Sequence, residues 1–294
     1  MIFAELNAYA KINLFLDILS KNKNGYHELI TLFTSVSLSD KLKFEPISDG
    51  IIVESDSDQL GNPTENIVYK VISHIIEKYQ LPNGIRVKIE KSIPIGGGLG
   101  GGSSDAAATL LFLNKTFKLG LSDEELMNIG VKFGADVPFF IKGGCAVAGG
   151  IGDQLSFFEN KSSFSIILVN PGFAVSTKYA YGLVDQAFND SFDYERTHDI
   201  AKIKNGLESG NLDLIADNLY NIFEEPVFKE YPQLREIKND LINLGCRAAL
   251  MSGSGSTLFG IIDNKDTDKN IYILAKLQNK YPFCRLVSNE SLSF

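Results

Sequence analysis

Residues 94–114 read PIGGGLGGGSSDAAATLLFLN, and this stretch decides how the rest of the sequence is interpreted. Six of the seven positions from 96 to 102 are glycine, and two serines and an apolar run of helical character follow. Glycine lets the backbone adopt positive φ angles and lets a ligand approach bare N–H groups. A helix beginning at Ser103 or Ser104 would add unpaired N–H groups and a positive dipole end, so the stretch predicts an anion site, most often for phosphate. A flexible linker is the alternative, but linkers do not usually run straight into an apolar helix.

Composition narrows the class of protein. The chain has 294 residues, of which 44% are hydrophobic and 22% charged, as is typical of a globular protein with one large domain or two ordinary ones. A net charge of −8 repels phosphate backbones, so we expect no nucleic-acid partner. Cys145, Cys246 and Cys284 are far apart and odd in number, which indicates buried free thiols in a reducing compartment. With no signal-peptide layout and no apolar run of membrane-spanning length, we expect a cytoplasmic protein without a membrane partner.

Hydrophobic periodicity predicts a mixture of strands and helices. Residues 4–18 alternate with a period of two, so one face should contact a core while Lys11 and Asn13 project side by side from the other. Further strands are predicted over 29–44, 50–55, 85–93, 165–170, 247–251, 257–262 and 283–288, and residues 134–153 are strand-like. Helices are predicted after the glycine stretch and over 64–79, 122–133, 175–188, 198–209, 211–223, 232–244 and 268–280. Because strands and helices do not alternate strictly, an α+β fold is favoured over a doubly wound sheet.

Local signals mark several boundaries in this sequence. Thr64 after Pro63 is the expected N-cap of its helix, and Ser122 with Glu125 fits a capping box. Polar residues at Ser39 and Asp40 predict a break between strands. A seam between two domains is expected within residues 157–163.

The common phosphate loops fit the glycine stretch poorly. The P-loop pattern GxxxxGK[ST] is absent because no lysine follows the glycines. A dinucleotide fingerprint can be read at Gly96, Gly98 and Gly101, but the preceding strand alternates charged with apolar residues, unlike a central parallel strand. The HRD and DFG motifs of protein kinases are missing too.

The order of three segments resembles the GHMP small-molecule kinases. These are residues 94–107, the strand AYAKINLFLDI at 8–18 and the glycine loop MSGSGSTLFG at 251–260. Four more segments are similar to the branch of this family whose acceptor alcohol carries a cytidine diphosphate group: GYHELITLF at 25–33, ENIVYKV at 65–71, GADVPFF at 134–140 and NPGF at 170–173.

The resemblance implies a two-domain GHMP kinase fold of the α+β class. Residues 1–157 would form a ribosomal-protein-S5-domain-2-like nucleotide-binding domain, and residues 158–294 a ferredoxin-like domain. The last strand is expected to be able to pack on the first domain, with the active site in the cleft between the two. We also expect a monomer or a weak homodimer.

The resemblance implies catalytic roles for Lys11 and Asp136. The ammonium would offset charge on the transferred phosphoryl group or the acceptor oxygen, and the carboxylate would deprotonate or orient the acceptor hydroxyl. The residues alone permit simpler roles, since lysine is usually exposed on a strand and aspartate often caps a turn.

Two sets of binding residues follow from the same resemblance. Asn13 would contact a substrate hydroxyl, Tyr26 would stack on the cytosine and His27 would bond its edge. Tyr181 falls at the position of a second stacking aromatic and Thr177 at that of a polar substrate contact, in a segment that departs from the expected proline-containing version. The cofactors implied are ATP and Mg²⁺, with Ser103 or Ser104 as a possible metal contact. The ATP-binding set comprises Asn66, Lys91, Pro94, Gly96, Gly97, Gly98, Leu99, Gly100, Gly101, Gly102, Ser103, Ser104, Gly253 and Gly255.

Two other functions stay open at this point. One is a GHMP kinase for another alcohol, such as mevalonate or homoserine, which would not need a base-stacking clamp. The other is a non-catalytic sensor that binds ATP and a sugar-like ligand, although the presence of both Lys11 and Asp136 favours chemistry.

Overall fold

A computed structural model describes residues 4–57, 62–81, 84–189, 192, 198–264 and 267–289, and in these ranges two β-sheets carry the fold. The larger sheet contains β1 (Ala4–Lys21), β2 (His27–Pro46), β3 (Ile51–Ser55), β4 (Ile85–Glu90), β5 (Cys145–Gly149), β6 (Gln154–Phe158) and β8 (Tyr220–Asn221). Its main order is β3-β4-β2-β1-β8, with β5 paired to β2 and β6 to β5. The smaller sheet contains β7 (Ser165–Asn170), β9 (Ala248–Met251), β10 (Leu258–Ile262) and β11 (Phe283–Ser288), in the order β11-β7-β10-β9.

Helices pack against both sheets. The helices of the first half are α1 (Ile67–Tyr79), α2 (Gly101–Thr116), α3 (Asp123–Gly130) and α4 (Val137–Lys142), and their apolar side chains share one core with β2 and β4. Those of the second half are α5 (Thr177–Phe188), α6 (Ile200–Ser209), α7 (Leu212–Ala216), α8 (Glu224–Glu230), α9 (Pro232–Asn243) and α10 (Thr267–Gln278). Of these, α5, α8, α9 and α10 pack with the smaller sheet in a second core.

A third core joins the two sheets, and the burial of β1 differs from the sequence prediction. Ile12 and Leu14 of β1 pack in one cluster with Ile166 and Leu168 of β7. The opposite face is covered as well, since Lys11 contacts Leu99 and Asp136 and Asn13 contacts Ser252. The strand is buried on both faces from Ala10 to Ile18 rather than on one. The period-two pattern is present, but the face that bears Lys11 is covered by other parts of the chain instead of solvent.

Several predicted boundaries need correction. Thr64 is not the cap of α1; a 3-10 turn spans Pro63–Glu65, and Asn66 caps α1 by accepting a hydrogen bond from Val68 N–H. Helix α2 begins at Gly101 rather than at Ser103 or Ser104. The predicted break at Ser39 and Asp40 is absent because β2 continues through it to Pro46.

Two longer segments also differ from prediction. The strand-like stretch 134–153 contains the short helix α4, since Pro138 favours a first helical turn, before it becomes β5. The predicted helix 211–223 stops at Ala216, and Tyr220–Asn221 pairs instead with β1. The capping box of Ser122 and Glu125 and the three buried free cysteines are confirmed.

The two halves of the chain meet along β1. The short strand β8 lies parallel to Phe15 and Leu16 of β1. The last strand, β11, pairs with β7, and its Ser288 N–H donates to Ser37 Oγ of β2 at 3.0 Å. No helix in the described ranges combines the length and apolar character that a membrane span requires.

Candidate active site

A cavity of about 1240 Å³ is lined by both halves of the molecule. Most residues predicted to bind ligands line it: Lys11, Asn13, Tyr26, His27, Lys91, Pro94, Gly96, Gly97, Gly98, Leu99, Gly100, Gly101, Gly102, Ser103, Asp136, Thr177, Tyr181 and Gly253. Three predicted residues, Asn66, Ser104 and Gly255, do not line it. The volume exceeds the roughly 300–1,000 Å³ typical of a single-ligand pocket, so two substrates can be accommodated side by side.

Two structural features favour glycine in the loop, the backbone φ angles and the close contacts with neighbouring groups. Gly96, Gly98 and Gly100 all have positive φ angles, of 67°, 77° and 73°. A Cβ atom at Gly98 would lie 2.2 Å from the Ser252 carbonyl oxygen, and one at Gly100 would lie 2.6 Å from the Phe140 ring. Bulkier residues would therefore both strain the loop and push it off its neighbours.

Carbonyl groups of the loop anchor it to both halves of the chain. Leu99 O accepts from Lys11 N–H at 3.0 Å, and Gly97 O accepts from Thr257 N–H at 3.2 Å. Gly98 O accepts from the Ser252 hydroxyl at 2.9 Å. Because the first N–H groups of α2 have no partner within the helix, the start of α2 beside this fixed loop is suited to bind an anion.

Lys11 lies at the centre of a buried polar cluster. Its Nζ donates to Asn13 Oδ1 at 2.6 Å and lies 3.6 Å from Asp136 Oδ2. Burial lowers the pKa of Lys11, and the Asp136 carboxylate opposes that shift. Asp136 precedes α4 but makes no side-chain cap hydrogen bond, and its side chain is 33% exposed. The carboxylate therefore pairs with the lysine and is open to a ligand.

Thr31 extends this cluster and carries no sequence signal that identified it. Asn13 Nδ2 donates to Thr31 Oγ1 at 2.8 Å, and the Thr31 hydroxyl in turn donates to Phe15 O at 2.6 Å. The chain of donors fixes which end of the Asn13 amide faces Lys11, because only the amide oxygen can accept from an ammonium.

The two serines after the glycines differ in their surroundings. Ser104 is fully buried, and its hydroxyl donates to Tyr9 O at 2.6 Å. Its N–H donates to Gly100 O within the first turn. Ser103 lines the cavity. Among the described residues, no group of three or more His, Cys, Asp or Glu side chains could hold a metal ion, so acidic metal ligands are not clustered here.

Lys91 is paired inside the protein. Its Nζ contacts Asp40, and lies 2.9 Å from Asp105 Oδ2. Asp40 Oδ1 also accepts from the backbone N–H groups of Ser92 and Ile93. The ion cluster thus ties β2, the segment before the glycine loop and the first turns of α2 together, while Lys91 still lines the cavity.

Aromatic and polar side chains line another part of the cavity. Tyr26 is 61% exposed, while His27 is buried and stacks on Tyr181 with ring centroids 4.7 Å apart. Burial, with the Asp136 charge as a second cause, raises the pKa of Tyr181 to about 12. Thr177 Oγ1 lies 3.1 Å from the Ser254 hydroxyl, which links α5 to the glycine loop at 251–260.

Asp185 was missed in the sequence although a signal was available. Its carboxylate lies 2.6 Å from His27 Nε2 and 2.8 Å from Lys21 Nζ. Thr177, Tyr181 and Asp185 are spaced four residues apart in α5, which places them on one helix face.

The supports of the second glycine loop were also missed. Asn221 Nδ2 donates to the carbonyls of Met251 and Gly253 at 2.7 and 2.8 Å, and Glu224 Oε1 accepts from Met251 N–H at 2.9 Å. Asn221 and Glu224 lie about thirty residues before this loop, so spacing alone gives no indication of these contacts.

The groups that line the cavity indicate what it can do. The cavity is lined by a backbone loop suited to an anion, by a lysine–carboxylate pair and by an aromatic pocket. The first can hold a polyphosphate, the second can neutralise charge and orient a hydroxyl, and the third can hold a planar ring.

Comparisons with known proteins agree with this arrangement. The family model of the GHMP kinase N-terminal domain matches residues 66–144, and that of the GHMP kinase C-terminal domain matches residues 203–280. The chain is 38% identical, over 88% of its length and 90% of the relative's, to a 4-diphosphocytidyl-2-C-methyl-D-erythritol kinase from Acetivibrio thermocellus. A protein of the same name from Clostridium acetobutylicum is 35% identical over 96% of this chain and 99% of its own.

Solved structures place the chain in the same fold. The crystal structure of a 4-(cytidine 5'-diphospho)-2C-methyl-D-erythritol kinase matches with a TM-score of 0.82 and 33% identity, covering 97% of this chain and 98% of its own. The mevalonate kinase of L. major matches with a TM-score of 0.75 at 17% identity, covering 99% of this chain and 97% of its own, which shows the fold alone. The predicted two-domain α+β fold is therefore confirmed, and the chain belongs to the GHMP kinase family.

Proposed function

We propose that this chain transfers the γ-phosphoryl group of ATP to the 2-hydroxyl of 4-diphosphocytidyl-2-C-methyl-D-erythritol, in non-mevalonate isoprenoid precursor biosynthesis. The observation that carries the proposal is the position of Lys11 and Asp136, 3.6 Å apart in a cavity that the glycine loop and the pocket of His27 and Tyr181 both line. The relatives that match nearly the whole chain carry the name of this kinase.

The start of α2 and the glycine loop would hold the ATP phosphates. Residues 96–103 line the cavity, the loop itself contributes no carboxylate that would repel an anion, and the helix dipole favours negative charge there. Mg²⁺ keeps several waters and few protein ligands, so we assign it the Ser103 hydroxyl as a protein contact, where it would neutralise phosphate charge. Ser104, Asn66 and Gly255 would support this site without lining it.

Lys11 and Asp136 would act on the acceptor hydroxyl. The Asp136 carboxylate can accept the hydroxyl proton or hold the oxygen in line, and the Lys11 ammonium offsets negative charge at the reacting oxygens. Burial of Lys11 in a poorly hydrated site strengthens that electrostatic effect. Asn13, fixed by Thr31, would bind a neighbouring substrate hydroxyl.

The far end of the cavity would hold the cytidine diphosphate group. Tyr26 offers an exposed ring face and His27 an imidazole edge, while Thr177 and Tyr181 complete the wall. In this proposal residues 1–157 and 158–294 are the two domains that enclose the substrates, and the enzyme acts as a monomer or weak homodimer.

A phosphoryl-transfer assay with product identification tests the proposal. ADP release is measured with the cytidyl substrate, mevalonate and homoserine in parallel, and phosphorylation of the cytidyl substrate at its 2-hydroxyl is the expected result. Turnover of mevalonate or homoserine but not of the cytidyl substrate would overturn the assignment in favour of another GHMP kinase. ATP binding without transfer to any of the three would indicate the sensor instead.

A further inference from the structure

The contacts of Asp185 determine which nitrogen of His27 carries the proton. Asp185 Oδ1 lies 2.6 Å from His27 Nε2, and Asp185 Oδ2 accepts from Lys21 Nζ at 2.8 Å. Burial raises the pKa of Asp185, but the hydrogen bonds from Lys21 and His27 outweigh it and leave that pKa lowered. Asp185 is therefore a carboxylate, which can only accept hydrogen bonds.

A carboxylate on Nε2 fixes the tautomer of the neutral ring. Nε2 must donate, so Nδ1 is left with an acceptor lone pair. No other described residue forms a hydrogen bond with Nδ1. The ring is also held in orientation, since it stacks on Tyr181 with an interplanar angle of 27° and meets the edge of Phe192.

We propose that Asp185 is a positioning residue that keeps the His27 proton on Nε2, so that Nδ1 accepts a hydrogen bond from the exocyclic amino group of the substrate's cytosine. The inference rests on the proposed function. It adds a basis for choosing cytosine over uracil, because cytosine presents an N4 amino donor where uracil presents an O4 acceptor. Two lone pairs would face each other in the uracil complex, and leaving them unpaired is costly.

Lys21 makes the Asp185→Asn variant a sharp test. The lysine has only donors, so it holds the oxygen of the amide that the substitution introduces and turns the amide NH₂ toward His27. Nε2 must then accept, and the proton moves to Nδ1. The variant is expected to lose at least about tenfold of the wild-type preference for the cytidyl over the uridyl substrate in kcat/KM, with ATP KM unchanged.

Two further variants separate positioning from a loss of structure. Asp240→Asn makes the same chemical change in an ion pair with Lys280 that does not line the cavity, and it should leave the base preference unchanged. In the double variant Lys21→Met with Asp185→Asn, the amide is free to turn its oxygen to Nε2, so base preference should recover in part.

Nitrogen-15 NMR of His27 in the full-length protein reads the tautomer directly, at a pH where the ring is neutral. The proposal expects a protonated Nε2 in the wild type and a protonated Nδ1 in Asp185→Asn. A wild-type ring protonated on Nδ1, or an Asp185→Asn enzyme with undiminished base preference, would overturn it. Failure of the proposed function would appear differently, as a wild-type enzyme that does not phosphorylate the cytidyl substrate at all.

Discussion

Under the proposed function, two parts of the cavity are built on different principles: the phosphate end, formed by residues 94–103, and the base end, formed by Tyr26, His27, Thr177 and Tyr181. The phosphate end is one contiguous stretch of backbone, fixed by carbonyl hydrogen bonds from Lys11, Ser252 and Thr257. The base end consists of side chains from the turn before β2, the first residue of β2 and helix α5, and its Tyr26 is largely exposed. A site for a group common to many kinases can use backbone alone, whereas a site for one particular base needs side chains with defined donors and acceptors.

The largest effect is expected between the two ends, at the lysine–carboxylate pair. Lys11→Ala and Asp136→Asn should each reduce kcat by at least about 10²-fold, because each removes charge that acts on the reacting oxygens. ATP affinity, measured by calorimetry, should change only modestly since the backbone loop persists. Near-normal turnover in either variant would refute the role assigned to that residue.

The phosphate end should tolerate side chains least. Gly98→Ala places a Cβ against the Ser252 carbonyl in a positive-φ position, so we expect a loss of about 2 kcal/mol or more in the free energy of unfolding. Gly102→Ala is the matched control for stability, because its Cβ would meet no atom closer than 4.0 Å within a helix. Urea denaturation compares the two, and equal stability would show that the loop is not held as tightly as described.

Next to the phosphate end, the Lys91 ammonium contacts the carboxylates of Asp40 and Asp105, which predicts that the stability of the protein depends on pH. Burial raises the pKa of Asp105 to about 7, with Asp40 adding to the shift and Lys91 opposing it. A carboxyl whose folded-state pKa is raised gives stability below its unfolded pKa, and that stability is lost as pH rises towards 7.

Asp105→Asn should remove this loss. As the pH rises from roughly 4 to 8, the free energy of unfolding of the variant should increase by about 1–3 kcal/mol relative to that of the wild type. Urea denaturation at several pH values measures the difference, and a difference that stays constant with pH would contradict the raised pKa.

A substitution at the base end should change the binding of the cytidyl substrate alone. Tyr26→Ala should raise KM for the cytidyl substrate about tenfold, in line with the energy of stacking on one base, while KM for ATP stays the same. Tyr179→Ala is the control, since Tyr179 is also exposed but donates to Glu230 and does not line the cavity. An unchanged substrate KM would remove Tyr26 from the site and erase the contrast between the two ends.

The same contrast explains what the sequence predicts well. The glycine loop is contiguous, so its composition alone indicates an anion site, and period-two alternation locates β1 with Lys11 and Asn13 on one face. Burial of that face depends on Leu99, Asp136 and Ser252, which lie between 88 and 239 residues away in the sequence, and no local pattern encodes these contacts. The N-cap of α1 was also mispredicted, because a 3-10 turn precedes the helix and Asn66, rather than Thr64, lies between the two.

The residues that support the site from behind could not be predicted from the sequence. Thr31, Asp40 and Asn221 act through partners far away in the sequence, so their residue types gave no sign of a role. Asp185 is intermediate, because its spacing from Tyr181 places it on the same helix face once the helix is known.

The hydrogen bond from Asn13 N–H to the Ser252 hydroxyl joins residues 239 positions apart. During protein synthesis, at about 5–20 residues per second, β1 therefore waits on the order of ten to fifty seconds for its partner loop to be made. A nascent or prematurely terminated chain carries Lys11 and Asn13 but lacks the groups that hold Gly98 in place. We expect such fragments to be inert, so that ATP is not consumed by incomplete copies of the enzyme.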